Sequence, residues 1–271
     1  MKEGGFTMDI MQNIDSLIKA VKLNALYVCS ILLIIAGLFV CSVIVEKVIR
    51  HKQGITDKTS PARRAAFVGM LSAIAAALML IELPVPFAPF FYKLDLSELP
   101  IMIGAFAFGP SAGVLIEFIK ILLKLLMKPS TTAFVGEVAN FSVGASYVIP
   151  AAGLYYANKT KKTAIKSVIL GTLVITVFGT VFNAVYLLPA FAKLYGMPLE
   201  EILKMGADVN SLAGDNIMTF VIACVAPLNF IKGTVNSILT LIIYKRISPI
   251  LKGVGLHADL VKKKKDKPVG E

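Results

Sequence analysis

IMIGAFAFGPSAGVLIEFIKILLKLLM, residues 101–127, decides the fold. Apolar residues fill this stretch apart from Ser111 and the charged Glu117, Lys120 and Lys124, and Gly109-Pro110 breaks it once. A glycine–proline pair punctuates helices, because proline has no amide hydrogen and glycine adopts turn conformations. The stretch reads as a short helix, a tight turn and a longer helix in apolar surroundings. Charges inside such spans are expensive, so each is a functional candidate by default.

The same reading extends outward. Roughly 20 apolar residues cross a bilayer core, and further spans are expected at about Ala25–Val45, Ala65–Leu83, Phe134–Ala157, Ala164–Leu188 and Asn216–Tyr244. With the two helices of 101–127 they make seven. The first is too long for a signal-peptide core and no small-residue cleavage site follows it, so it reads as an uncleaved helix. Apolar residues make up 56% of the chain, charged residues 17%, and mean hydropathy is +0.77. A soluble chain of 271 residues cannot hide that much apolar surface. The expected class is an all-α integral membrane protein, not a soluble one.

The net charge is +11, yet no nucleic-acid partner is expected. The Lys and Arg lie between the spans in the positive-inside pattern, and membrane lipid is the expected surrounding. Placing 46–64, 158–166 and the segment from Tyr244 onward in the cytoplasm puts 18 of the 28 Lys and Arg there. That orients the N-terminus outside and the C-terminus inside a cell (plasma) membrane. Residues 1–62 are read as an extra transmembrane helix with a basic linker, 63–252 as the membrane core, and 253–271 as a basic disordered tail. PVPFAPFFYKLDLSELP (84–100) carries too many prolines for a continuous helix and reads as an ordered or re-entrant loop; 190–215 reads as an amphipathic loop. No internal repeat is visible. Cys29, Cys41 and Cys224 sit in apolar runs without metal-site or disulfide spacing, and His51 and His257 in basic, loop-like segments. No metal or cofactor is expected. The sequence lacks HExxH, GxSxG and GxxxxGK[ST], so any ATP would be hydrolysed by another subunit.

Several polar residues inside the spans stand out. Glu117 and Lys120 are spaced i, i+3 and share a helix face, as a packing ion pair or as part of a site; Lys124 and Lys128 are expected to snorkel outward. Glu137 and Asn140 follow. Asn183 and Tyr186 are again i, i+3, and Asn229, Lys232 and Asn236 lie on one face of the last span. Asn offers a donor and an acceptor, and Lys three donors. Together they match a planar polar heterocycle; the alternative is that the amides glue helices together. Ala65, Gly69, Ala73 and Ala77 recur every four residues, a small-residue stripe suited either to packing in the bundle or to docking a partner protein.

PFFYKLDLSELP, GAFAFGPSAGVLIEFIK, GEVANFSVG and PLNFIKG, in that order over about Arg63 to Lys252, resemble the riboflavin-specific substrate-binding (S) component of energy-coupling-factor (ECF) transporters, the RibU type. The resemblance implies a six-helix S-component core, here with one additional N-terminal transmembrane helix. It implies riboflavin, as transported ligand and not cofactor, bound at the extracellular side under a cap formed by Pro84 to Ser97. Asn183, Asn229 and Lys232 match the family's flavin-contacting positions; Lys93, Leu94, Asp95, Asn140 and Tyr186 complete the expected ligand-binding set. The Ala65–Ala77 stripe matches the surface for a transmembrane coupling subunit, which works with two cytoplasmic ATPase subunits. Three readings stand beside it: an S component for another vitamin, a solitary facilitator, and an intramembrane enzyme using Glu117, Glu137 or Asp95 as acid or base.

Overall fold

The computed structural model describes residues 25–54, 60–130, 132, 134–214 and 216–265. Part of the expected linker (55–59), the N-terminal 24 residues and the last six fall outside them. Helix α1 (Ala25–Gln53) precedes α2 (Pro61–Met79). A short antiparallel pair, β1 (Leu83–Pro84) and β2 (Lys93–Leu94), leads to α3 (Glu98–Phe108), α4 (Pro110–Met127), α5 (Val135–Ala157) and α6 (Lys161–Phe182). A π-helical turn, Asn183–Leu187, carries α6 into α7 (Leu188–Tyr195). Then come α8 (Leu199–Val209), α9 (Ile217–Phe220), a second π-helical turn (Val221–Val225) and α10 (Ala226–Lys265).

Local chemistry explains the breaks. Ser60 caps α2, accepting from the Arg63 N–H, and Pro61 occupies the first turn, where its missing N–H costs nothing. Gly109 turns α3 into α4 at φ +102, a conformation that favours glycine. Proline removes an amide hydrogen and clashes with the carbonyl four residues back, so the span read as Ala164–Leu188 should stop at Pro189. It does not. The Leu188 N–H reaches back five residues to the Asn183 carbonyl, and the widened turn admits Pro189. The Ala226 N–H does the same to Val221, just before Pro227. Residues 190–215, expected as a loop, are largely helical in α7 and α8 because their apolar faces pack on Phe220, Val221 and Cys224. The last helix runs on to Lys265, through most of the segment read as a tail.

The bundle centres on α3, which beyond Glu98 is apolar on every face and correspondingly buried: Ile101, Met102, Ala105 and Phe106 are fully enclosed. Phe106 stacks on Tyr155 at 4.3 Å and meets Tyr244 edge-on. Ser237 joins α5, α6 and α10 by hydroxyl bonds to Tyr147 (2.8 Å) and Thr172 (2.9 Å). Large apolar side chains cover the outside, among them Leu33, Val177 and Val185. Among the described residues, four helices are long and apolar enough to cross a membrane: those over Cys29–Gln53, Pro61–Met79, Lys161–Leu194 and Ile217–Arg246. α4 and α5 are about 27 and 34 Å long at 1.5 Å per residue, the scale of a bilayer core.

Gly113 lets α4 approach its neighbours: a Cβ there would meet Val148 Cγ1 at 2.5 Å and Ala105 Cβ at 2.6 Å. Gly113→Ala is therefore expected to cost about 1–3 kcal/mol through overpacking, read as a lower thermal midpoint in detergent. Gly69→Ala, whose Cβ meets nothing within 4 Å, is the control and should not lower it.

Candidate ligand-binding site

Both π-helical turns face one cavity, at the end of the bundle that carries the β1–β2 loop. The turns themselves supply Asn183, Leu187 and Val225; Leu188, Leu228 and Asn229 come from just beyond them, with Phe91, Tyr92 and Lys93 from the loop, Val135, Gly136, Ala139, Asn140 and Val143 from α5, Phe191 from α7 and Lys232 from α10. Its empty volume, open mouth included, is ≈ 760 Å³. A second cavity adjoins it under the loop and shares Phe91, Lys93, Thr132, Gly136, Asn140 and Phe191, adding Asp95, Glu82, Lys124 and Glu137.

Of the residues expected to bind ligand, Asn140, Asn183, Asn229, Lys232 and Lys93 converge on the main cavity. The Tyr92 hydroxyl donates to Asn183 Oδ1 at 2.8 Å, and Asn183 Nδ2 donates to the Gly179 carbonyl. Asn229 is buried, its Nδ2 has no hydrogen-bond partner among the described residues, and it fills the space left by Gly179. Lys232 Nζ donates to Asn140 Oδ1 at 3.2 Å. Asp95 lines only the second cavity. Leu94 and Tyr186 line neither: Leu94 packs against the apolar cluster around α8 and α9, and Tyr186 turns to α1, its hydroxyl 2.6 Å from Ser30 Oγ. Asn236 points down the bundle, donating to the Lys232 carbonyl. Phe91, Tyr92 and Phe191 were not singled out; they lay within segments read as loops, where periodicity gives no facing.

Beneath the cavity lies a buried charge cluster. Lys232 Nζ is 3.4 Å from Asp95 and 3.3 Å from Glu98; Lys120 Nζ is 2.6 Å from Glu117 and 3.5 Å from Glu98. All five are buried. Sequence reasoning missed Glu98, which sits among loop-like residues; its i, i+3 spacing from Asp95 was the available signal. Burial alone would raise the Asp95 carboxyl, but the Lys232 and Lys120 charges and two hydrogen bonds from Ser97 outweigh it and hold it below the usual range. Lys124 does not snorkel: it is buried against Glu137 at 2.5 Å, because Glu137 on α5 faces it across the bundle. Glu82 clasps the loop, receiving Lys93 at 2.6 Å and Lys128 at 2.9 Å.

A lipid-facing bundle with three amides and two ammoniums converging on a cavity at one end is a membrane-embedded binding protein. The family model described as "ECF transporter, substrate-specific component" matches residues 63–244, and the chain belongs to that family. It is 32% identical over 192 residues to the riboflavin transporter RibU of Staphylococcus aureus (strain TCH60), covering 71% of this chain and 94% of that one. It is 32% identical over 188 residues to the riboflavin transporter FmnP of Bacillus subtilis (strain 168), covering 69% and 93%. A solved structure described as the S component of a bacterial ECF transporter superposes with a TM-score of 0.56 at 34% identity, covering 71% of this chain and 99% of that one. The family is one of transport components, not enzymes. Asp95, Glu117 and Glu137, the acids an enzyme would need, are each paired to a lysine.

The cluster holds three carboxylates against two ammoniums. Lys120→Met would strip both Glu98 and Glu117 of a counter-charge, at about 3–5 kcal/mol, whereas Glu117→Gln relieves the excess and should cost much less; thermal unfolding in detergent compares them. The loop clasp has its own pH dependence. Burial would raise Glu82, but its hydrogen bonds and attraction to Lys93 and Lys128 leave it below its ordinary 4.5. The clasp's contribution is therefore complete above pH 4.5 and is lost only as pH falls below that value through the folded-state one. Proteolysis of the 83–97 loop as a function of pH reads this out.

Proposed function

We propose that this chain is the riboflavin-binding S component of an ECF-type importer, taking the vitamin at the extracellular side and passing it to the cytoplasm. The observation that carries the reading is the main cavity: Phe91, Tyr92, Phe191, Leu187, Val225 and Leu228 give it apolar walls for a tricyclic ring, while Asn140, Asn183, Asn229 and Lys232 offer few, convergent polar groups. Riboflavin is uncharged, so Lys232 acts as a hydrogen-bond donor to a ring carbonyl, its charge already balanced by Asp95 and Glu98. The unpartnered Asn229 amide is satisfied by the ring edge. The names of the two relatives point to the same ligand.

In this arrangement six helices of the core, with α3 as the short one, and α1 as a seventh cross the membrane. The N-terminus lies outside and the C-terminus in the cytoplasm, following the Lys and Arg distribution. The cavity end is then extracellular and the 83–97 loop its cap. Ala65, Gly69, Ala73 and Ala77 are all exposed on α2 and face away from the bundle. That favours docking over internal packing, with the transmembrane coupling subunit as partner and two cytoplasmic ATPase subunits supplying energy.

Titration of the purified full-length protein with riboflavin should quench flavin fluorescence saturably at about one ligand per protein; no quenching by folded, ligand-free protein overturns the assignment. Lys232→Ala is a poor probe, because it also strands two buried carboxylates. Asn229→Ala breaks no ion pair and should weaken riboflavin about 5- to 150-fold, the cost of about 1–3 kcal/mol for a lost buried polar contact.

A further inference from the structure

Helix α1 lies ahead of the family-matched region, and none of its residues lines the cavity. It is nevertheless keyed into the core at both ends. At one end Glu46 is buried at the start of α4. The Ser111 N–H donates to its Oε2 at 3.0 Å, the Ser111 hydroxyl donates too, and Arg50 (2.9 Å) and Arg64 of α2 (3.5 Å) pair with its Oε1. Gly109 leaves the room: a Cβ there would lie 2.7 Å from the carboxylate. At the other end Ser30 Oγ and the Tyr186 hydroxyl are 2.6 Å apart, and the Tyr27 and Tyr186 rings are 5.5 Å apart.

Tyr186 sits inside the π-helical turn whose Asn183 and Leu187 line the cavity, and it stacks on Phe182 with the rings 6° from parallel. A π-helical turn is a rare backbone state, found mostly as a single turn inside an α-helix and often at functional sites. Within the core, Tyr92 reaches this turn from the cavity side, at Asn183. From the opposite side the reach comes from α1.

We propose that α1 is a strut that holds the Asn183–Leu187 turn in its ligand-binding shape, through the Ser30–Tyr186 hydroxyl pair, with Glu46 fixing the strut to α4 and α2. Tyr186 is then a positioning residue and not a ligand contact. The inference rests on the proposed ligand only for its binding readout.

The test uses full-length Ser30→Ala, Tyr186→Phe, the double variant and Ser30→Thr, which keeps the hydroxyl. Amide hydrogen exchange is followed in ligand-free protein, and riboflavin dissociation in parallel. Losing one net hydrogen bond should speed exchange at 183–187 about 5-fold in either single variant. The double variant should add nothing further, Ser30→Thr should exchange like the parent, and the amides of α5 should be unchanged. Riboflavin should leave faster by a similar factor. Parental exchange at 183–187 in both single variants, additive effects in the double, or equal acceleration in α5 would each overturn the strut. If the parent protein binds no riboflavin, the ligand assignment falls and the exchange pattern alone decides this inference.

Discussion

Lys232 stands between Asp95 and Glu98, all three buried in the bundle, and most of the site's geometry follows from that. A buried ammonium without its carboxylates costs several kcal/mol, so α10, the end of the capping loop and the start of α3 are bound into one unit. Glu98 passes the constraint to Lys120, and Lys120 to Glu117 on α4. The cavity floor is therefore polar and fixed before any ligand arrives. A preformed floor lowers the ordering cost of binding.

The walls have a different origin. Two prolines, Pro189 and Pro227, sit two residues beyond two π-helical turns, and both turns contribute to the cavity lining. Each proline would break an ordinary helix. The wider turn absorbs it and places side chains outside the register of a regular helix, bringing Asn183 and Asn229 to one space. Gly179 has no side chain where the Asn229 amide now lies. Polar groups in the site thus owe their position to backbone irregularity as much as to their own chemistry.

Much of this was legible in the sequence. Hydropathy and Lys/Arg placement gave the apolar spans, and the Gly109-Pro110 break gave the α3–α4 turn. The i, i+3 rule found the Glu117–Lys120 pair and put Asn229 and Lys232 on one face. Periodicity also isolated the exposed small-residue stripe of α2. What escaped were contacts between elements distant in sequence. Glu98 and Tyr92 gain their meaning only when the loop folds back on α10 and α6, and Lys124 only when α5 brings Glu137 against it. Tyr186 shares a nominal face with Asn183, but the π-helical turn rotates it toward α1. Pro189 read as a stop because a helix was assumed to keep its i−4 ladder.

The central claim is that the cavity between the two π-helical turns is the flavin site, and a structure of the full-length protein crystallised with riboflavin tests it most directly. The account predicts the ring between the loop aromatics and Leu228, with Asn183, Asn229 and Lys232 within hydrogen-bonding distance of its polar edge and α1 still joined to Tyr186. A ring bound elsewhere on the bundle, or bound here with none of those three side chains in contact, would contradict it.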